Sequence, residues 1–205
     1  MLRAAIGLAD RSGIGSLTMR KLAQELGVEA MTLYYHVSNK DDILNSIVDL
    51  VEDEIELPVP GGDWKADLRR CAISYHDVLA LHPWAASLAL SATGTRPARW
   101  RYMNAVLGTL REAGFSADMT DHAYHALDSH ISGFTLWAVQ IDVRVEDLPD
   151  LAARFIDELP AELPYLVEHV HQHMKERDPE DEGEFVFGLD LILDGLETIL
   201  RASRQ

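Results

Sequence analysis

The chain has 205 residues, a formal net charge of −16 and a single cysteine. That length can bury a substantial core in one or two domains, and lone Cys71 excludes an intramolecular disulfide and fits a reducing cytoplasm. No signal peptide is legible and no uncharged apolar run nears the roughly 20 residues of a membrane helix, so the expected product is soluble and cytoplasmic.

Residues 2–11 read as a first helix, with Leu2, Ala5, Ile6 and Ala9 on one side and Gly13 and Gly15 ending it. Two more helices follow with a tight turn between them. Thr18 is a good N-cap, residues 21–26 are strong helix formers, and Leu22, Ala23 and Leu26 give one apolar face. Gly27 suits the left-handed conformation of a helix stop, and Val28 is expected to plug the elbow. The next helix is expected over about 30–36, with Leu33 and Val37 inward and Met31, Thr32, Tyr34, Tyr35 and His36 outward. This is a helix-turn-helix whose second helix is sized for a DNA major groove.

The outward set points to function. A purely structural surface helix would carry Glu, Lys and Gln, whereas hydroxyls, an imidazole and apolar edges suit base edges, thymine methyls and phosphates. Arg20 and Lys40 flank the helix where phosphates would lie. The candidate DNA-contacting residues are Thr18, Arg20, Met31, Thr32, Tyr34, Tyr35, His36 and Lys40. The net charge is no obstacle. Residues 1–40 hold five basic side chains against three acidic ones, a balance of +2, so the remainder carries −18. An acidic body repels DNA everywhere except at the reading head.

The runs Thr-Met-Arg-Lys-Leu-Ala (18–23), Leu-Gly-Val (26–28), Thr-Leu-Tyr-Tyr-His-Val (32–37) and Asn39-Lys40 resemble the tetracycline-repressor (TetR) family of regulators. The resemblance implies that Arg20, Thr32, Tyr34, Tyr35, His36 and Lys40 match operator-contacting positions. Ala30 and Met31 stand where the tetracycline repressors carry Gln and Pro, which implies a different operator sequence. Relatives usually carry a leader, often basic, before the first helix, and this sequence starts inside that helix.

Asn39-Lys40-Asp41-Asp42 opens the next helix, acids first as the helix dipole prefers. Ile43, Leu44, Ile47, Val48, Leu50 and Val51 are its apolar residues, and Glu52, Asp53 and Glu54 are read as its polar far end. The resemblance implies that this helix transmits a ligand signal. Pro58-Val59-Pro60-Gly61-Gly62 is the clearest break. The expected organisation is a helix-turn-helix domain over 1–45, a linking helix over 41–57, and a ligand-binding and dimerisation domain over 58–205.

The remaining patterns are helical, giving an all-α fold: a three-helix head and a helical body. Helices are expected from the Asp63 cap to about 81, over 84–92 (nearly all apolar, so buried on several sides), from 97 to 113, over 118–141, over 164–175 and over 185–202. Acid-rich loops over 145–150 and 158–164 and a charged turn over 177–184 separate the later ones. The last helix has two apolar rows: Phe185, Leu189, Ile192, Leu196 and Ile199, and Val186, Leu189, Leu193, Leu196 and Leu200. One core needs one stripe, so the surplus asks for a partner that Gly188 and Gly195 would let approach. A homodimer is expected, with this helix and the 118–141 helix forming a four-helix seam.

The body also resembles the tetracycline-repressor core, through Trp64 with Leu68-Arg69-Arg70, Gly94-Thr95-Arg96-Pro97, Gly114-Phe115-Ser116 and Phe134-Thr135-Leu136. The resemblance implies that Arg96 and Pro97 line the ligand site and that Tyr75 replaces a phenylalanine there. Asp53 and Cys71 stand at positions held by His and Asn, and Ala92 where a metal-binding histidine is found. Without that imidazole a magnesium–tetracycline chelate loses a ligand, so tetracycline is not the expected inducer. Tyr75, Trp84, Trp100, Met103, Leu107, Phe134 and Trp137 offer large apolar walls, and His125, Ser129 and Ser132 a polar line on one helix. These residues, with Arg96 and Pro97, form the candidate ligand set, and they suit a flat or hydrophobic small molecule.

His169, His171 and His173 do not make a metal site, because His171 points away from the other two. No cofactor or catalytic residue is assigned. The expected function is a ligand-responsive repressor that binds a palindromic operator as a homodimer. The alternatives are a ligand-independent activator, or an all-helical enzyme with His125 and Asp128 as acid–base pair.

Overall fold

The structure, a computed structural model, describes residues 1–91, 95–140, 162–173 and 182–204. They fall into two compact units, Met1–Val139 with Glu184–Gln205, and Gln140–Gly183. All regular elements among the described residues are helical.

The head comprises α1 (Leu2–Ser12), a 3-10 turn (Ile14–Ser16), α2 (Met19–Leu26) and α3 (Ala30–Leu33), followed by α4 (Lys40–Glu52). Its punctuation is local chemistry. The Thr18 hydroxyl accepts the Lys21 N–H at 3.2 Å and so caps α2. Gly27, at φ 67°, ends α2 in the left-handed conformation, which lets the Val28 N–H return to the Ala23 carbonyl at 3.0 Å. At α4 the Asn39 side chain accepts the Asp42 N–H while the Asp42 carboxylate accepts the Ser38 N–H, each at 2.9 Å. Reciprocal capping of this kind fixes where the helix starts. Ala5, Leu8, Leu17, Leu22, Leu33, Ile43 and Ile47 form the core beneath.

Two expectations fail in the head. The helix expected over 30–36 ends at Leu33, and Tyr34, Tyr35 and His36 continue as a turn whose N–H groups bond three residues back. Tyrosine and histidine are weak helix formers, and the tighter 3-10 spacing suffices for a single turn. Val28 is 42% exposed and does not plug the elbow, while Leu22 of α2 and Leu33 of α3 are buried.

The body is built from α5 (Trp64–Leu81), α6 (Pro83–Ser91), α7 (Pro97–Ala113), α8 (Ala117–Gln140) and α10 (Gly183–Ala202). Asp63 Oδ1 accepts the Lys65 and Ala66 N–H groups and starts α5. Helix α6 buries Trp84, Ala85 and Ala86 but leaves Leu90 exposed, so burial on several sides holds only for its first turn, where α1, α4 and α5 pack on it. Helix α9 (Pro164–His173) belongs to the second unit. The loop expected over 145–150 lies outside the described residues, as do most of those over 158–164 and 177–184.

Helix α10 buries Phe185, Val186, Leu189, Leu193, Leu196 and Leu200. Gly188 serves this intramolecular packing and not a partner: a Cβ there would lie 2.5 Å from His130 Cε1. The His130 ring cannot easily retreat, because it stacks on Phe185 and its Nε2 reaches the Phe185 carbonyl at 2.8 Å. Gly188→Ala is therefore expected to lower stability by about 1–3 kcal/mol, measured by urea unfolding. Gly195 has nothing within 4 Å.

Candidate functional site

The outer surface of the helix-turn-helix carries the side chains the sequence assigns to it. Leu33 is buried and Val37 half-buried, and this pair pins the segment to the head. The opposite side is open: Met31 is 72% exposed and Tyr35 86%, with Thr32, Tyr34 and His36 also exposed. Thr18 and Arg20 are exposed beside them, and Lys40 is half-buried at the start of α4. The Thr18 oxygen accepts in the cap, which leaves its hydrogen available to a phosphate. Exposed hydroxyls, an imidazole and a thioether on one small surface, flanked by Arg20, Lys21 and Lys40, can read base edges and bind backbone phosphates.

The body holds a second set of polar groups, inside. Glu52, the last residue of α4, is 2% exposed and pairs with Arg96, itself 5% exposed at the cap of α7. Arg96 Nη1 also donates to the Ala89 carbonyl of α6 at 2.6 Å. The Tyr75 hydroxyl of α5 donates to Glu52 Oε1 at 3.2 Å and accepts from Arg99 Nη1 at 2.9 Å. Arg99 Nη2 in turn reaches both Asp128 oxygens at 2.8 Å and the Tyr124 hydroxyl at 3.2 Å, both on α8. The guanidinium lies over the Tyr75 and Tyr102 rings, 5.8 and 5.1 Å from their centroids. A continuous relay thus runs from α4 through α5 and α7 to α8. Burial raises the Glu52 carboxyl above its ordinary range against the opposing pull of Arg96, and pushes the Tyr124 phenol up to about 12.

The candidate ligand residues fall in the relay, in half-buried positions and on the surface. Tyr75 and Arg96 belong to the relay. Met103, Leu107, Ser132 and Phe134 are half-buried, while Pro97, His125 and Ser129 are exposed, as are Trp100 at 58% and Trp137 at 53%. Of the expected apolar wall, the Phe134 and Trp137 rings meet at 5.8 Å between centroids, and the expected polar line has His125 and Ser129 exposed and Ser132 half-buried. Trp84 is buried, but its indole N–H donates to Asp10 of α1 at 2.6 Å, beside the His82 contact to the same oxygen, so it ties α6 to α1. Asp53 turns outward to Arg101, and Cys71 is buried with its thiol pushed up to about 12 by that burial. Ala92 lies outside the described residues. Two clefts, of about 390 and 590 Å3, are lined by Phe115 and Ile199 and by Arg70 and Leu81 respectively, and neither includes a relay residue.

The enzyme alternative loses its geometry: Asp128 is engaged by Arg99, while His125 lies 3.6 Å from Asp121 instead. No group of three or more metal-ligating side chains occurs among the described residues.

Sequence reasoning missed Glu52, Arg99 and the pairing role of Asp128. For Glu52 a signal existed: it follows Val48 by four and precedes Ile55 by three, which places a charge on the buried stripe of α4.

Comparison with known proteins matches both regions. Residues 1–47 match the family described as bacterial regulatory proteins, tetR family, and residues 57–200 match the tetracyclin repressor-like C-terminal domain. Tetracycline repressor protein class D of Escherichia coli is 35% identical over 214 residues, covering 100% of this chain and 91% of that protein. An HTH-type transcriptional regulator of Saccharopolyspora erythraea is 34% identical over 172 residues, covering 76% and 73%. Among solved structures, the TetR family protein ActR of Streptomyces coelicolor in complex with actinorhodin has a TM-score of 0.78 at 25% identity, covering 97% of this chain and 95% of that one.

Proposed function

Because the chain belongs to the tetracycline-repressor (TetR) family of transcriptional regulators, we propose that it is a repressor that binds a palindromic operator as a homodimer and leaves it when a small molecule other than tetracycline enters the body. The observation that carries the reading is the solvent-facing set Met31, Thr32, Tyr34, Tyr35 and His36, held outward by buried Leu33. In this reading Thr18, Arg20 and Lys40 meet phosphates and the outward set meets base edges.

The homodimer is supported by an exposed apolar line on α10: Phe187 (69%), Leu191 (60%) and Ile199 (45%), with open Gly195 between them. Trp137 on α8 is exposed as well. A second copy covering these side chains accounts for an apolar surface that a monomer would leave in water. The small molecule is supported by the class of the relatives, one of which was solved with actinorhodin bound.

Fluorescence anisotropy on fragments of the chain's own upstream DNA tests the reading. With Arg20, Lys21 and Lys40 on two heads, about six phosphates are neutralised, and affinity is expected to fall roughly a thousandfold between 50 and 200 mM salt. Salt-independent binding, or none to any upstream fragment, overturns the proposal.

A further inference from the structure

The reading segment has a crest. Leu33 and Val37 fix its inner side, and a helix turns about 100° per residue, so the side chain two before Leu33 points away from the head. That side chain is Met31, 72% exposed in the helical turn Ala30–Leu33. Tyr35, further along the segment, is the other residue that stands well clear, at 86%. Tyr34 is only 46% exposed, and Ala30 is half-buried and ends at a single methyl.

The two crest residues differ in chemistry. Tyr35 ends in a hydroxyl, which can donate to a base edge or accept from it. Met31 has no hydrogen to donate, and its sulfur accepts only weakly. Set against a base amine or carbonyl, a thioether displaces water and makes no hydrogen bond in return, which is a net cost. Nor can it hold a phosphate. The apolar group that base pairs present in the major groove is the C5 methyl of thymine. A long, unbranched and polarisable side chain is well suited to settle on it.

We infer that Met31 is a specificity-determining residue, which selects a thymine in each operator half-site by packing on its C5 methyl. This rests on the reading of the chain as an operator-binding dimer, and it names what one outward residue reads. Thr32 has a methyl of its own but lies about 100° round the helix from the crest. The contact is blind to the rest of the pyrimidine. Uracil lacks the methyl and is refused, whereas 5-methylcytosine carries one at the same ring position and is preferred to cytosine. Burying one methyl corresponds to about a fourfold change in affinity, and about fifteenfold when both half-sites are changed together.

The test uses operator duplexes from the chain's own upstream DNA, in which each thymine of the protected half-sites is replaced in turn by deoxyuridine. Affinity is read by fluorescence anisotropy at one fixed salt concentration. At one position per half-site, deoxyuridine is expected to weaken binding about fourfold. At that position 5-methylcytosine is expected to bind about fourfold more tightly than cytosine. Met31→Ala and Met31→Gln, both at an exposed site, are expected to keep their melting temperature and to bind the thymine and uracil duplexes alike there. Thr32→Ser, which removes the neighbouring methyl, is expected to keep the full uracil effect. The inference is overturned if no thymine is sensitive to deoxyuridine. It is equally overturned if the sensitivity survives in both Met31 variants, or is lost in Thr32→Ser instead. Failure to bind the unmodified duplex overturns the repressor reading itself; normal binding without a uracil effect overturns only the role given to Met31.

Discussion

Tyr35→Ala or His36→Ala is expected to remove operator binding while leaving the folded dimer intact. Tyr35 is 86% exposed and His36 is exposed beside it, so truncation takes little native packing away. Exposed substitutions of this kind change stability by about 0.5 kcal/mol or less. The effect on DNA is larger, because a good base contact is worth about 1–3 kcal/mol and a two-fold complex loses it twice. A loss of roughly 2–6 kcal/mol takes a nanomolar complex towards or past the limit of a gel shift. Anisotropy titration beside size-exclusion chromatography separates the two outcomes. Normal operator binding by either variant would mean that the assigned reading face is wrong.

Arg96→Ala is expected to be the most damaging single change in the body. It leaves the Glu52 carboxylate buried without its counter-charge, and breaking a buried pair from one side costs about 3–5 kcal/mol. The loss should depend on pH in a defined direction. The folded-state pKa of Glu52 already lies above its unfolded value, and removing Arg96, a lowering influence on it, raises it further. The penalty is absent below the unfolded value and grows as pH rises through the folded one. Urea unfolding should therefore show a larger deficit at pH 8 than at pH 5. The double variant Glu52→Gln/Arg96→Met, which removes both charges, should recover most of the stability at either pH. A deficit independent of pH would show that Glu52 is not the group left exposed to the low dielectric.

These two predictions rest on parts of the chain that differed in how far they could be read from sequence. The head was legible because its signals are local: the Thr18 cap, the Gly27 stop and the Asn39 cap act within four residues, and the 33/37 spacing alone decides which way Tyr35 faces. The helix ends of the body, set by Asp63 and Gly114, were legible for the same reason. What was not legible is which distant side chains meet. Arg99 lies 24 residues from Tyr75 and 29 from Asp128, and no periodicity within α7 announces either contact. Glu52, read as part of a polar helix end, is buried because the chain runs on to Ile55, itself 5% exposed. Trp100 and Trp137, expected as cavity walls, are both more than half exposed in the single chain. Residue type alone does not distinguish a core from a surface waiting for a second chain.

Footprinting of the wild-type protein on its own upstream DNA bears most directly on the proposition that two such heads are held at a fixed separation. The result expected is a pair of inverted half-sites protected together, with centres about 34–36 Å apart along the duplex. Protection of a single half-site, or of no symmetric sequence at any salt concentration, would contradict it.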